Sequence, residues 1–193
     1  MEQRSAAERG RRKGEAEALS TSQRILRATA DVLDRAGPTK LSISEVALEA
    51  GVTRATLYRW FSSKEELLRA FFVNERHLFE AGMSQATAGL SGAEELDAAL
   101  AYIVDYQESY SGARLIDSEP EMALAAVLEV IPLMRARLQR MLPGESGEIK
   151  AATAIRVAVS HYVVRGDDAD QFLAQLRHAV GLHSSDGQHF VLA

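Results

Sequence analysis

The chain has 193 residues with a net charge of −5, and its 47% hydrophobic and 25% charged residues are typical of a globular protein with a sizeable core. It contains no cysteine, which excludes disulfides, cysteine zinc sites and thiol catalysis and fits the reducing cytoplasm, where we expect the protein to work. No apolar run reaches the roughly 18 residues of a membrane span, and the first 20 residues lack the apolar segment of a secretory signal.

The charge is distributed unevenly. Residues 1–70 hold 13 Lys and Arg against 10 Asp and Glu, a balance of +3, whereas the remainder holds 9 against 17, a balance of −8. A basic first third on an acidic protein indicates a localised surface for nucleic acid.

The first part of the chain predicts a polar arm followed by four helices. Residues 1–19 carry no large apolar side chain before Leu19 and are predicted to form a flexible arm. Apolar residues at helical spacing predict a helix near 21–36, ended by Gly37 and Pro38. Ser42 and Glu45 form a capping-box pattern for a short helix that Gly51 ends. A third helix is predicted near 54–60, capped by Thr53. A fourth is predicted from residue 62 or 63 to about 88, because Ser62 with Glu65 and Ser63 with Glu66 both fit the capping-box pattern.

Helical signals continue to residue 182. Helices are predicted near 92–110, from Ser118 onward with a kink or break at Pro132, over 147–165 and over 168–182 after an Asp167 cap. The tail 183–193 carries no clear signal, and no window alternates long enough to predict a sheet. The prediction is an all-α chain of about nine helices, divided into a helix-turn-helix domain at 20–68 and a larger helical domain at 69–182, with the bend between them inside the fourth helix.

Residues 43–60 have the spacing of a helix-turn-helix, with Gly51 in the turn. Val46, Ala47, Val52 and Leu57 are predicted to face inward and to fix the angle between the two helices. The outer face of the second helix then carries hydroxyl, guanidinium and methyl groups, which suit the edges of bases and the phosphates in a DNA groove.

The segment LSISEVALEAGVTRATLYRWFSSKEEL, with TSQRILRATADVLDRAG before it, resembles the DNA-binding domain of the tetracycline-repressor (TetR) family over about residues 21–70. The resemblance implies a dimeric helix-turn-helix transcription regulator, usually a repressor, that a small ligand releases from its operator. Tyr58 and Lys64 match phosphate-binding positions of the family, and Arg54 and Ala55 match base-reading positions. The full set of positions matched to DNA contacts is Ser44, Thr53, Arg54, Ala55, Thr56, Tyr58, Trp60 and Lys64.

The larger domain shows no specific resemblance, so its roles are inferred from the residues alone. Tyr102 and Tyr106 share one helical stripe, and with His161 they are the candidate polar groups of an apolar effector pocket. Core or interface packing is the alternative for His161. The effector is predicted to be a small apolar or amphipathic molecule.

A homodimer is predicted through the last two long helices, whose small and apolar residues suit a two-fold four-helix bundle. The residues singled out are Ala151, Ala152, Ala154, Ala158, Val159, Phe172, Leu173, Leu176, Ala179 and Val180. Burial in the monomer's own core is the alternative. The expected DNA partner is a double-stranded, palindromic operator, since one recognition helix reads only a few base pairs.

Motifs for catalysis, cofactors and metals are not predicted. GESGE at 144–148 lacks the last glycine of a nucleophile elbow, and no nucleotide-binding glycine loop occurs. Asp167, Asp168 and Asp170 stand at a helix start, where carboxylates are favoured without a metal. Two other readings stay open: a regulator controlled by a protein partner without a small ligand, and a helical small-molecule-binding protein that does not bind DNA.

Overall fold

The computed structural model describes residues 21–36, 40–109, 116–117, 119–164, 166, 168–185 and 189–192. Among them are eight α-helices: α1 (21–36), α2 (Ile43–Glu49), α3 (Arg54–Trp60), α4 (Lys64–Ala86), α5 (Gly92–Ser109), α6 (Pro120–Met141), α7 (Gly147–Val163) and α8 (Phe172–Val180). A short 3-10 helix, Ala169–Gln171, precedes α8. The predicted all-α fold is confirmed. The predicted arm at 1–19, the stop at 37–39 and the caps at Ser118 and Asp167 lie outside the described residues.

Packing divides the chain into two compact units, and the division falls between Asn74 and Glu75, inside α4. The first unit buries apolar side chains from α1, α2, α3 and the first half of α4. Its fully buried large residues are Ile25, Leu33, Leu57, Leu67, Leu68 and Phe71. The predicted inward positions of α2 are confirmed, because Val46 and Ala47 are buried.

The second unit has its own core, built mainly from α5, α6, α7 and α8. α7 packs against α6 and α8, and α5 contacts all three of these helices. The core residues include Met83, Leu96, Leu100, Met134, Leu138, Ala154 and Leu176. None of the helices in the described ranges is long and apolar enough to cross a membrane.

The sequence predicted either a kink or a break at Pro132. α6 is a single helix that contains Pro132, so the break does not occur. A proline inside a helix removes one hydrogen bond to the carbonyl four residues earlier, here that of Leu128. Leu128 is 66% exposed, so water can reach this stretch of the helix. The loss of one bond is therefore tolerated within a helix of 22 residues.

The tail also differs from the prediction, because it contains an antiparallel hairpin of strands β1 (Leu182–Ser185) and β2 (His189–Leu192). Leu182 pairs with Leu192 and Ser185 with His189. Phe190, Val191 and Leu192 favour strands, but a strand of four residues is too short to show a period-two pattern.

Candidate nucleic-acid interface

The turn between α2 and α3 is closed by backbone hydrogen bonds and by Gly51. The Gly51 N–H donates to Leu48 O at 3.1 Å, and the Val52 N–H donates to Ala47 O at 2.9 Å. Gly51 has a φ of 64°, in the left-handed region that other residues adopt at a cost. The predicted glycine turn of a helix-turn-helix is therefore present.

Arg24 of α1 fixes the same turn from outside. Its Nη2 donates to the carbonyl of Ala50 at 2.5 Å and to that of Gly51 at 3.3 Å. The last carbonyls of a helix have no partner within the helix, so a cation here satisfies them and complements the helix dipole. Sequence analysis missed this residue, because no local spacing rule connects position 24 with position 50.

α3 begins at a threonine cap and buries one side. Thr53 Oγ1 accepts from the Thr56 N–H at 3.1 Å, and the two threonine hydroxyls lie 2.9 Å apart. Leu57 is fully buried against the core of the first unit. The other side of α3 is open: Arg54, Ala55 and Arg59 are exposed, and Tyr58 is 44% exposed, which is inconsistent with a core role for Tyr58.

The remaining residues matched to DNA contacts differ in exposure. Ser44 is exposed near the start of α2, Thr56 is half-buried, and Lys64 is a half-buried residue at the start of α4. Trp60 is also half-buried. Its Nε1 atom is buried, and no acceptor for it occurs in the described part of the chain. In this conformation the Trp60 ring packs against protein and does not present its N–H at the surface.

The start of α4 is occupied by its own caps. Ser63 Oγ accepts from the Glu66 N–H at 3.1 Å, and the Glu66 carboxylate accepts from the Ser62 N–H at 2.7 Å and from the Ser62 hydroxyl. The Ser62 hydroxyl and then its N–H hold the pKa of Glu66 below the ordinary 4.5. These bonds leave fewer free N–H groups at this helix start for a ligand.

In the second unit, Tyr102 and Tyr106 of α5 lie together against α4. Their ring centroids are 6.0 Å apart, and Phe79 of α4 packs on both at 5.3 and 4.8 Å. The Tyr106 hydroxyl donates to Glu75, with 3.1 Å to both its carbonyl oxygen and Oε2. Burial, followed by the charge of Glu75, raises the pKa of Tyr102. Tyr110, one turn later, lies outside the described residues.

His161 belongs to a different group of side chains. Its Nε2 lies 2.8 Å from Gln175 Oε1, and its ring stacks on Phe172 with centroids 4.1 Å apart. Gln175 Nε2 donates to Asp168 Oδ2 at 2.7 Å, and this bond is the main reason that the pKa of Asp168 is lowered. No hydrogen bond or ring contact among the described residues joins His161 to either tyrosine.

Most of the residues singled out for dimerisation are buried within one chain. Ala151, Ala154, Ala158, Phe172, Leu176 and Val180 belong to the core, whereas Ala152, Val159, Leu173 and Ala179 are half-buried. Large apolar residues that α7 does expose include Ile149 at 71% and Val163 at 38%. Sequence periodicity alone could not separate the core stripe of α7 from a neighbouring exposed one.

The described residues contain no group of three or more His, Cys, Asp or Glu side chains placed to hold a metal ion. Asp168 instead accepts a hydrogen bond from Gln175, as described above.

Comparison with known proteins finds a match to one family within the first unit. Residues 25–71 match the family model described as bacterial regulatory proteins, tetR family. SrpR, an HTH-type transcriptional regulator of Pseudomonas putida, is 38% identical over 69 residues, which are 36% of this chain and 32% of that protein. TtgW, an uncharacterised HTH-type transcriptional regulator that is also from Pseudomonas putida, is 38% identical over 69 residues, 36% of this chain and 52% of that protein. The match thus spans between a third and about half of the length of these curated relatives.

The fold is shared over a longer range. A TetR transcription regulator from Haloarcula marismortui superposes with a TM-score of 0.68 over 83% of this chain and 94% of that one, at 17% sequence identity. This likeness concerns the fold. The proteins that this chain resembles are named as transcription regulators, not as enzymes.

Proposed function

Because residues 25–71 match the family model of bacterial regulatory proteins, tetR family, we propose that the chain is a member of this family and a DNA-binding transcription regulator of the cytoplasm. In this proposal it is a homodimeric repressor that a small apolar or amphipathic effector releases from a palindromic, double-stranded operator. The observation that carries the proposal is the open side of α3, where Arg54, Ala55 and Tyr58 are exposed on a helix held at a fixed angle by Gly51 and Arg24.

The proposed roles on DNA follow from side-chain chemistry. Arg54 and Ala55 lie at the start of α3 and read base edges, through guanidinium donors and a methyl group respectively. Tyr58 and Lys64 bind phosphates, which position the protein without selecting a sequence. Ser44, Thr53, Thr56 and Trp60 complete the proposed contact set. The hydroxyls of Thr53 and Thr56 are hydrogen-bonded to each other in the free protein. A DNA contact from either hydroxyl must therefore share or replace that hydrogen bond.

The proposed effector site lies in the second unit, among the helices between residues 92 and 165. Tyr102 and Tyr106 are its polar groups, next to Phe79 and the aliphatic core. His161 is the third polar group of the proposed site, and its partners in the free protein are Gln175 and Phe172. An apolar or amphipathic molecule suits such aliphatic and aromatic surroundings.

The proposed dimer uses α7 and α8. A dimer is needed because one recognition helix selects too few base pairs, and two such helices must lie about 34–36 Å apart to enter successive major grooves. The burial pattern moves the proposed contact surface away from Ala158 and Leu176. It favours the exposed side of α7 that includes Ile149 and Val163, together with the half-buried Ala152.

The test is titration of the protein with DNA fragments selected from the source genome, at several salt concentrations. A regulator that neutralises phosphates loses affinity steeply as salt rises, because counterions are released on binding. Lys64→Ala should lower the slope of log affinity against log salt by about two, one for each subunit of a dimer. Arg140→Ala, which removes an exposed charge at the end of α6, is the matched control and should leave the slope unchanged.

Two outcomes would favour other functions. Binding that shows no salt dependence, or no binding at all, would favour a helical small-molecule-binding protein. DNA binding that responds only to a second protein would favour a regulator controlled by a protein partner.

A further inference from the structure

The outer side of α6 carries an exposed apolar surface. Residues 124–136 all lie in the described part of the chain, and besides Glu129 those exposed are Leu124, Ala125, Leu128, Pro132, Leu133 and Ala136. The three leucines are 41%, 66% and 48% exposed. Their spacing places these residues in rows along one side of the helix, over a length of about 18 Å at about 1.5 Å per residue. We call this set of residues, with Glu129, the α6 face.

Apolar and aromatic residues on α4 and α5, by contrast, pack against one another within the chain. The ring of Tyr102 on α5 fills the space beside Gly82 of α4, where a Cβ atom would lie 2.7 Å from the Tyr102 Cζ. Phe79 of α4 packs on the rings of both Tyr102 and Tyr106. Leu128 remains 66% exposed. A contiguous row of exposed apolar side chains, unlike a single one, indicates an interaction surface.

The α6 face offers no unpaired charge to a partner. Its charged residue, Glu129, forms an ion pair with Arg76 of α4, with 3.1 Å between Oε2 and Nη1. The domain around it is acidic, because residues 71–193 hold 9 Lys and Arg against 17 Asp and Glu, a balance of −8. Two copies of such a domain repel each other, and they approach most easily where neither presents an unpaired charge. The α6 face therefore suits a second copy better than a partner recognised by charge.

The shape of the α6 face is also complementary to itself. Leucines alternate on it with the smaller Ala125, Pro132 and Ala136, which leave depressions between the leucine side chains. Rows of side chains four residues apart on one helix can enter the grooves of another helix with the same rows, which is the commonest helix packing in globular proteins. About a two-fold axis, each copy supplies leucines and receives those of the other.

We propose that the α6 face binds the same face of a second copy of this chain, in a two-fold contact separate from the one proposed for α7. Because the two contacts use different helices, one chain makes both, and two dimers are joined into an assembly of four chains. The α7 contact belongs to the proposed function, whereas the α6 contact requires neither DNA nor an effector.

The first test is sedimentation without DNA at micromolar concentration. Leu128→Glu places two carboxylates within the contact, and because Leu128 is exposed the helix content should stay that of wild type, which circular dichroism checks. Wild type should have about twice the mass of Leu128→Glu, as expected for four chains against two. Leu78→Glu, at a leucine of α4 that is 55% exposed, is the matched control and should sediment like wild type.

The second test is a cross-link that identifies the contact. The chain has no cysteine, so the thiol introduced by Leu128→Cys reacts alone. In an Ile149→Glu background, which removes the proposed α7 contact, a short bis-maleimide should join residue 128 of two copies. Leu78→Cys in that background is the control and should stay uncross-linked. Leu78 lies on the opposite side of α4 from Arg76, the residue that contacts α6.

Either equal masses of wild type and a folded Leu128→Glu, or the absence of the cross-link at residue 128, would overturn the proposal and assign the α6 face to a different protein. If Leu128→Glu loses helix content, the cross-link alone decides. A wild type of two chains that Leu128→Glu converts to monomer would support the α6 contact, and it would refute the α7 dimer instead.

Discussion

Arg24 and Ala50 lie 26 positions apart in the sequence, yet the guanidinium of Arg24 donates to the Ala50 carbonyl at 2.5 Å. The same guanidinium reaches the carbonyl of Gly51. α1 therefore helps to fix the angle between α2 and α3, although it lies outside the helix-turn-helix itself.

Arg24→Ala should destabilise the first unit by about 1.5–3 kcal/mol, the range for a hydrogen bond to a charged group. It should also weaken DNA binding, because the turn that orients α3 loses its outer support. Chemical denaturation followed by circular dichroism measures the first effect. Arg27→Ala, an exposed arginine one turn later on α1, is the control. Equal effects of the two changes would contradict the assigned role of Arg24.

Gly51→Ala should cost about 1–2 kcal/mol, because alanine is strained at the φ of 64° that the turn requires. A Cβ at position 51 would also lie 3.1 Å from Arg24 Nη2, so the arginine must shift. The loss should be smaller in an Arg24→Ala background, where only the backbone strain remains. Thermal denaturation of wild type, the two single variants and the double variant tests this. Strictly additive losses of stability would contradict the contact between position 51 and Arg24.

Changes on the open face of α3 should separate affinity from specificity. Tyr58→Phe and Lys64→Ala should weaken binding to all DNA sequences to a similar degree, since they remove phosphate contacts. Arg54→Ala should instead relax the preference at one base pair, by about 1–3 kcal/mol. Competition titrations with operator variants distinguish the two patterns. Unchanged operator affinity in the double variant of Tyr58 and Lys64 would show that the recognition face has been placed wrongly.

Charges introduced into α7 and α8 should act differently according to burial. Leu176 is fully buried and Ala158 is 7% exposed, so Leu176→Glu and Ala158→Glu should unfold the second unit and not simply separate subunits. Ile149 and Val163 lie on the exposed side of α7. Ile149→Glu and Val163→Glu should therefore leave the helix content intact and shift the equilibrium from dimer to monomer. Sedimentation with circular dichroism checks both. A wild-type protein that sediments as a monomer at micromolar concentration would refute the proposed dimer.

Acid should weaken the capped start of α4. The pKa of Glu66 is lowered in the folded chain, so its carboxylate contributes stability above about pH 4.5 that is lost as the pH falls through the folded value. Glu66→Gln should therefore be less stable than wild type at pH 7, and the difference should shrink toward pH 3. Ser62→Ala removes the hydroxyl that donates to Glu66 and should reproduce part of the loss at pH 7. A difference that stays constant with pH would contradict the assignment.

The sequence predicted the elements whose signals are local. The Ser42 and Thr53 caps, the Gly51 turn and the eight described helices follow from residues within a few positions of each other. Contacts between distant residues were not predictable in this way. Some hydrogen bonds depend on how the helices pack, which sequence periodicity does not reveal. They are the bonds of Arg24 to Ala50, of Tyr106 to Glu75, and of Gln175 to both His161 and Asp168.

The contact between Gly82 and Tyr102 also constrains how such chains diverge. Any side chain at position 82 needs the space that the tyrosine ring fills, so a larger residue at 82 is tolerated only with a smaller one at 102. The two positions are therefore expected to covary among close relatives. A lineage that acquires alanine at 82 should have exchanged its tyrosine first, and the order of these two substitutions is restricted by their overlap in space.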